Sequence, residues 1–126
     1  MNQLEGRVAI ITGAGQGIGA GIAKSFAGAG FRVSLMSPSD RSVKLARQLG
    51  GIGRQGSVLD PTDLAALVEE TRAAYGRIDA VVNNAGFLRD RMLTSMTEQD
   101  FDAVIDVHLK GTFTVIRHAC GYWREQ

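Results

Sequence analysis

The sequence predicts an α/β domain in three layers, a parallel sheet with crossover helices on both faces. Three observations carry that expectation. Short β-branched runs alternate four times with segments whose apolar residues recur every three to four positions. Nine of the 16 glycines gather at the joints between these segments, at 13, 15, 17 and 19, at 28 and 30, and at 50, 51 and 53. No linker, internal repeat or low-complexity tract interrupts residues 1–126, which therefore read as a single domain, and a chain this long buries roughly two-thirds of its unfolded surface.

Arg7 to Thr12 (RVAIIT) has the composition of a strand buried on both faces. From Gly17 the period changes, with Ile18, Ile22 and Phe26 four apart until Gly28 and Gly30 end a first helix. Arg32 to Met36 is a second strand, Arg41 to Leu49 a short helix, and Ile52 to Val58 a third strand diluted by glycine. Asp60 followed by Pro61 starts the next helix, because a capping carboxylate accepts from free N–H groups and proline at the first helical position loses no hydrogen bond. Leu64, Leu67, Val68 and Thr71 continue one face of it. Ile78 to Asn83 is a fourth strand, and a polar loop spans Asn84 to Ser95. Thr97 then caps a long fourth helix whose inner face is expected to be Phe101, Val104, Ile105, His108, Leu109, Thr112 and Ile116. Cys120 on that helix is expected to be a small buried hydrophobe.

Lys and Arg number 14 against 13 Asp and Glu, a net charge of +1 with no basic stripe, so nothing favours a nucleic acid or an acidic membrane surface as partner. One cysteine cannot form an internal disulfide, and no apolar segment has the length and flanks of a signal peptide or a membrane span. A reducing, cytoplasmic setting and a small-molecule ligand are expected. No residue pattern assigns a metal site.

"ITGAGQGIG" at 11 to 19 joins the first strand to the first helix. In a chain this rich in glycine, three glycines at fixed spacing carry little alone; their position carries the meaning. A dinucleotide-binding fold of the Rossmann type presents its phosphate site at that joint, where the helix's free N–H groups point outward. Gly13 would permit the sharp turn, while Gly17 and Gly19 would leave room for a pyrophosphate. No Lys-Ser or Lys-Thr pair follows, which excludes a P-loop. The expected strand order is 3-2-1-4.

T-G-A-G-Q-G-I-G at 12 to 19 resembles the T-G-x-x-x-G-x-G of the short-chain dehydrogenase/reductase family, and N-N-A-G at 83 to 86, right after the fourth strand, is similar to its second motif. V-x-L-K-G-T-F at 107 to 113 resembles the family's fourth-helix segment, and F-L-R-D-R at 87 to 91 resembles the (3R)-hydroxyacyl-CoA dehydrogenase branch. The similarity covers essentially the whole chain and implies NAD(P)-dependent oxidation or reduction of an alcohol/carbonyl pair. It implies that Gly13, Gln16, Gly17, Ile18 and Gly19 surround the pyrophosphate and nearby ribose, that Asp60 meets the adenine, and that Asn83, Ala85 and Gly86 border the cofactor. Asp60 is equally a plain helix cap, and Asn83 and Asn84 equally satisfy backbone groups where a strand breaks.

An acid at the end of the second strand would bond the ribose 2′-OH of NAD; a basic residue with a small neighbour would suit the 2′-phosphate of NADP. That place is Ser37, with Asp40 and Arg41 just beyond pointing in opposite directions. The missing acid favours NADP over NAD, although both charges are also accounted for as solvated residues at a helix start. His108 stands where the family has an asparagine in its fourth helix. It is the one candidate for a catalytic role, as a proton relay, against the reading of a packed side chain with satisfied nitrogens.

The family's proton-handling pair, a tyrosine with a lysine four residues on, is missing: Tyr75 is followed by Asp79 and Tyr122 by Gln126. The expectation is a cofactor-binding part, truncated after the fourth βα unit and inactive alone, or else a complete short module that binds a nucleotide or self-associates without catalysis. A substrate would enter only if a further C-terminal part were supplied. An open edge on the fourth strand and an uncovered helical face would drive homo-oligomer formation.

Overall fold

β1 (Val8–Thr12) lies inside a four-stranded parallel sheet of order β3-β2-β1-β4, formed with β2 (Arg32–Ser37), β3 (Ile52–Gln55) and β4 (Ala80–Val82), as the sequence predicts. The structure is a computed structural model and describes residues 2–126. All five residues of β1 are buried because helices cover both sheet faces and side chains alternate between them. Ala9 and Ile11 join Val33, Leu35, Ala23, Leu45 and Ala46 under α1 (Gly17–Gly28) and α2 (Arg41–Leu49). Ile10 joins Met36, Leu64, Leu67, Ile78, Val115 and Tyr122 on the opposite face, under α3 (Pro61–Tyr75) and α5 (Gly111–Arg124). Ser34 enters this second face as a polar residue, and its hydroxyl meets that of Thr71 at 2.7 Å while Thr71 donates to the Leu67 carbonyl at 2.6 Å. Both hydroxyls are thereby satisfied inside the core.

Three elements depart from expectation. β3 stops at Gln55 rather than Val58, because the Asp63 carboxylate captures the Ser57 N–H at 3.0 Å and bends Gly56 to Leu59 away from the sheet. Asp63 is itself held by Arg54 at 3.2 Å, and Arg54 by Glu70 at 2.8 Å. The Ser57 N–H, with Arg54, keeps the Asp63 carboxyl below the usual range, so this anchor stays ionised at neutral pH. β4 is three residues long, since only Ala80, Val81 and Val82 pair with Ala9, Ile10 and Ile11.

The fourth helix is the third departure. It divides into α4 (Glu98–Ile105), a wider π turn (Asp106–Lys110) and α5. Thr97 caps α4 as expected, through a capping box with Asp100. The predicted inner face is wrong: Phe101, Ile105, Leu109 and Ile116 are exposed, and the face that packs on the sheet is Val107, Gly111, Val115, Ala119 and Tyr122. The helix carries two apolar stripes, and periodicity alone cannot say which one the sheet takes. Cys120 follows the same correction and is exposed. No helix among the described residues is long and apolar enough to cross a membrane.

Asp79 ties the amino end of the sheet together. Its carboxylate accepts from Val8 N–H at 2.8 Å and from Arg77 at 2.8 and 2.6 Å, with Arg7 at 3.4 Å. Burial works to raise its pKa, but the bonds from Arg77 and Val8 outweigh it and hold the carboxyl below the usual range. A carboxyl with a lower pKa folded than unfolded stabilises fully above its unfolded value of about 4, and that contribution disappears as pH falls through the folded value. Denaturant titrations from about pH 7 to 3 are expected to show stability falling more steeply for the native chain than for Asp79→Asn, with the two curves converging at the acid end.

Candidate cofactor-binding site

The carboxyl ends of β1, β2 and β4 open onto a cleft of about 820 Å³, within the range of small-molecule and cofactor sites. Residues 13 to 19 form its floor. Gln16, the cap of α1, is fully extended and gives no side-chain cap; the first turn of α1 contains no acid. The first intrahelical bond here runs from Ala20 N–H to the Gln16 carbonyl, so the N–H groups of Gly17, Ile18 and Gly19 have no partner within the helix. Unfilled donors at the positive end of a 12-residue helix suit an anion.

The glycines have different duties. Gly13 has φ of +65°, and a Cβ there would lie 2.8 Å from the Ala85 Cα, so it serves the contact between the β1 turn and the segment after β4. A Cβ on Gly19 would overlap the Gly13 carbonyl and the Asn84 side chain, which makes this glycine an internal packing requirement instead of ligand room. Gly17 has φ of +56° with nothing within 4 Å of a Cβ, and it is the position that leaves the cleft open. The junction is closed by polar bonds: Asn84 Nδ2 donates to the Gly13 carbonyl at 3.1 Å, and Ala85 N–H to the Thr12 hydroxyl at 3.2 Å.

Gly13, Gln16, Gly17, Ile18, Gly19, Ser37, Ala85 and Gly86 all line the cleft. Asp60 and Asn83 do not. The Asp60 carboxylate accepts from Thr62 N–H at 2.8 Å as the cap of α3, while its neighbours Val58 and Leu59 face the cleft. Asn84, not Asn83, reaches the glycine turn. Ser39, Ser57, Phe87 and Val107 also line the cleft, beyond the residues the sequence singles out. The sequence pattern places Ser57 and Val58 in a strand, and the Asp63 capture that turns them inward leaves no periodic signal. Val107 belongs to the packed stripe of the fourth helix, which the expected inner face leaves out.

At the β2 end, Ser37 donates to the Ser39 carbonyl at 3.1 Å. Arg41 lines the cleft and donates to the Gln16 side chain, whereas Asp40 turns to Lys44 at 3.1 Å and is not a lining residue. His108 is outside the cleft and exposed, with Nε2 against the Phe87 backbone. Neither tyrosine reaches the cleft: Tyr122 is buried with its hydroxyl 3.4 Å from the Gly76 carbonyl, and Tyr75 stacks under Arg32.

A family model described as short chain dehydrogenase matches residues 7–126. The chain belongs to that family. It is 42% identical over 122 residues to the oxidoreductase UcpA of Salmonella typhimurium, covering 93% of this chain and 46% of that protein. It is 41% identical over 130 residues to the 3-oxoacyl-[acyl-carrier-protein] reductase FabG of Thermotoga maritima, covering 98% and 53%. The crystal structure of 3-ketoacyl-(acyl-carrier-protein) reductase from Brucella melitensis complexed with NADH superposes with a TM-score of 0.92 at 30% identity, over 98% of this chain and 52% of that one. The chain thus spans about half the length of the curated relatives it matches.

The two helix glycines separate stability from ligand room. Gly19→Ala is expected to lower unfolding free energy by about 1–3 kcal/mol through overlap with the Gly13 backbone. Gly17→Ala is expected to lower it by about 1–2 kcal/mol, the strain of a side chain at positive φ, while weakening dinucleotide binding more than Gly19→Ala does once both are corrected for folded fraction. Chemical denaturation with parallel calorimetric titration checks the pair.

Proposed function

We propose that the cleft binds a nicotinamide dinucleotide, with NADP favoured over NAD, and that these residues are the cofactor-holding part of an oxidoreductase acting on an alcohol/carbonyl pair. The observation that carries this reading is the unfilled amino end of α1, whose donors meet a cleft kept open at Gly17. Gln16, Gly17 and Ile18 would hold the pyrophosphate; Ala85, Gly86 and Phe87 would border the nicotinamide end. A bound dinucleotide would supply hydride transfer to or from a carbonyl carbon. Proton exchange with the oxygen has no agent among the described residues, because both tyrosines lie away from the cleft and no lysine follows either by four.

Arg41 supports the preference for NADP. It is the cation on the cleft wall beside Ser37 and Ser39, and the one nearby acid, Asp40, is paired with Lys44. Calorimetric titration is expected to show tighter binding of NADPH than of NADH, with Arg41→Ala removing most of a preference of about tenfold or more, the usual worth of a charge-assisted bond. Equal affinities in the native chain would overturn the choice of cofactor, and no heat with either would overturn the binding reading.

A second reading, a non-catalytic module that self-associates, is favoured by the exposed face of the fourth helix. Phe101, Ile105, Leu109, Phe113 and Ile116 form one apolar stripe, with Leu109 66% and Phe113 60% exposed. Acids Glu98, Asp100, Asp102 and Asp106 flank its first half, bases Lys110, Arg117 and Arg124 its second. Two copies laid antiparallel would bury the stripe and pair opposite charges end to end. β4 adds a strand edge that pairs only with β1. Light scattering at high micromolar concentration is expected to give at least twice the monomer mass, and Leu109→Glu to reduce it to one; a native monomer would sink this reading without touching cofactor binding.

A further inference from the structure

We propose that Asp63 is a positioning residue for the adenosine half of a bound dinucleotide: held by Arg54 and Glu70, its carboxylate turns Ser57, Val58 and Leu59 out of the sheet and into the cleft wall. This role rests on the dinucleotide reading above, in which the nicotinamide end lies after β4 and the pyrophosphate at α1. The β2 and β3 side of the cleft is then left for the adenosine, and Gly56 to Leu59 are the lining residues that follow β3 there. Arg54, Asp63 and Glu70 do not line the cleft, so they would act on a ligand only through that wall.

Asp63 and Glu70 are seven residues apart on α3, two turns along one face. Arg54, next to last in β3, reaches both, at 3.2 Å from Asp63 and 2.8 Å from Glu70. The Arg54 and Asp63 side chains are only 28% and 23% exposed, so water screens this pair less than an ion pair on the open surface. The two Asp63 oxygens divide the work. Oδ1 accepts from Arg54 and Oδ2 from the Ser57 N–H at 3.0 Å, which joins the arginine to the turn through one rigid carboxylate. A Cβ on Gly56 would lie 2.9 Å from the Asp63 Cγ, so glycine there admits the carboxylate.

The rest of the turn is short-range. The Gly56 N–H donates to the Ser37 carbonyl at 2.9 Å, the Leu59 N–H to the Ser57 hydroxyl at 3.1 Å, and the Asp60 N–H to the Ser57 carbonyl at 3.1 Å. These bonds shape the turn but do not fasten it to α3; the Asp63 carboxylate does. Val58 is fitted against the fourth helix, where a Cβ on Gly111 would lie 2.7 Å from its Cγ2. Removing the carboxylate would leave the Ser57 N–H without its acceptor and free the wall from α3, while the glycine turn and the segment after β4 keep their own bonds. The loss would fall on one end of a ligand.

Calorimetric titrations of 5′-AMP and of NADPH test this, each corrected for folded fraction. Asp63→Ala is expected to weaken both ligands by the same factor, about tenfold, the usual worth of a charge-assisted bond, because the adenosine is common to both. Asp63→Asn keeps an acceptor for the Ser57 N–H and is expected to stay within about threefold of native. Arg54→Met is expected to weaken both ligands about threefold and decides the matter if Asp63→Ala does not fold. Asp79→Asn, which destabilises the opposite end of the sheet, is expected to bind within about twofold of native. Native affinity in folded Asp63→Ala, or in Arg54→Met where the alanine variant is unfolded, would overturn the role of Asp63. A loss confined to NADPH, or an equal loss in Asp79→Asn, would do the same. If the native chain binds neither ligand, the dinucleotide reading fails first and this role falls with it; if the native chain binds and Asp63→Ala binds as well, the role of Asp63 fails alone.

Discussion

The structure depends on how closely two backbones approach at the carboxyl end of the central sheet. The turn after β1 and the segment after β4 meet with no side chain between them, Gly13 against Ala85 and Gly19 against Gly13. That approach lets Asn84 and Thr12 bond across the junction, and it fixes the direction in which α1 leaves the sheet. With α1 so placed, its free N–H groups face the cleft and not the core. A single methyl group at either glycine would push the two backbones apart, so local stability rests on this junction while ligand room rests on Gly17.

The sheet explains the rest of the layout. A parallel strand buried on both faces needs helices on both sides, and the two hydrophobic clusters provide them. The fourth helix has more apolar surface than the sheet can use. Its Val107, Val115 and Ala119 stripe is consumed by β1, β4 and α3, whereas Phe101, Leu109 and Phe113 remain in water. An exposed stripe of that size with segregated charges is unusual for a surface that stays solvated.

Most of the architecture was legible because it follows from period and punctuation. β1 and β2 are continuous apolar runs, α1 and α3 begin at glycine and Asp-Pro signals, and the strand order is the one expected of the Rossmann-type fold. The glycine turn and Ala85 and Gly86 were legible through motif and position together. What sequence could not give was the choice between equivalents: which of two apolar stripes faces the sheet, which of two neighbouring asparagines turns inward, and whether Asp60 serves a helix or a ligand. The first two are settled by long-range contacts. Tyr122 reaching Gly76, Asn84 reaching Gly13 and Asp63 reaching Ser57 involve partners that local pattern does not connect.

Binding without turnover is chemically coherent in such a domain. Contacts to a pyrophosphate are the same before, during and after hydride transfer, so they contribute affinity equally to ground and transition states and leave the barrier unchanged. Lowering the barrier requires groups that act on the reacting oxygen, where charge develops as the hydride moves. On the proposed reading α1, Ser37 and Arg41 would belong to the first kind, and among the described residues the two tyrosines are engaged at the opposite end of the sheet and in an arginine stack. On that reading holding and reacting fall to different groups, and α1, Ser37 and Arg41 would do the holding.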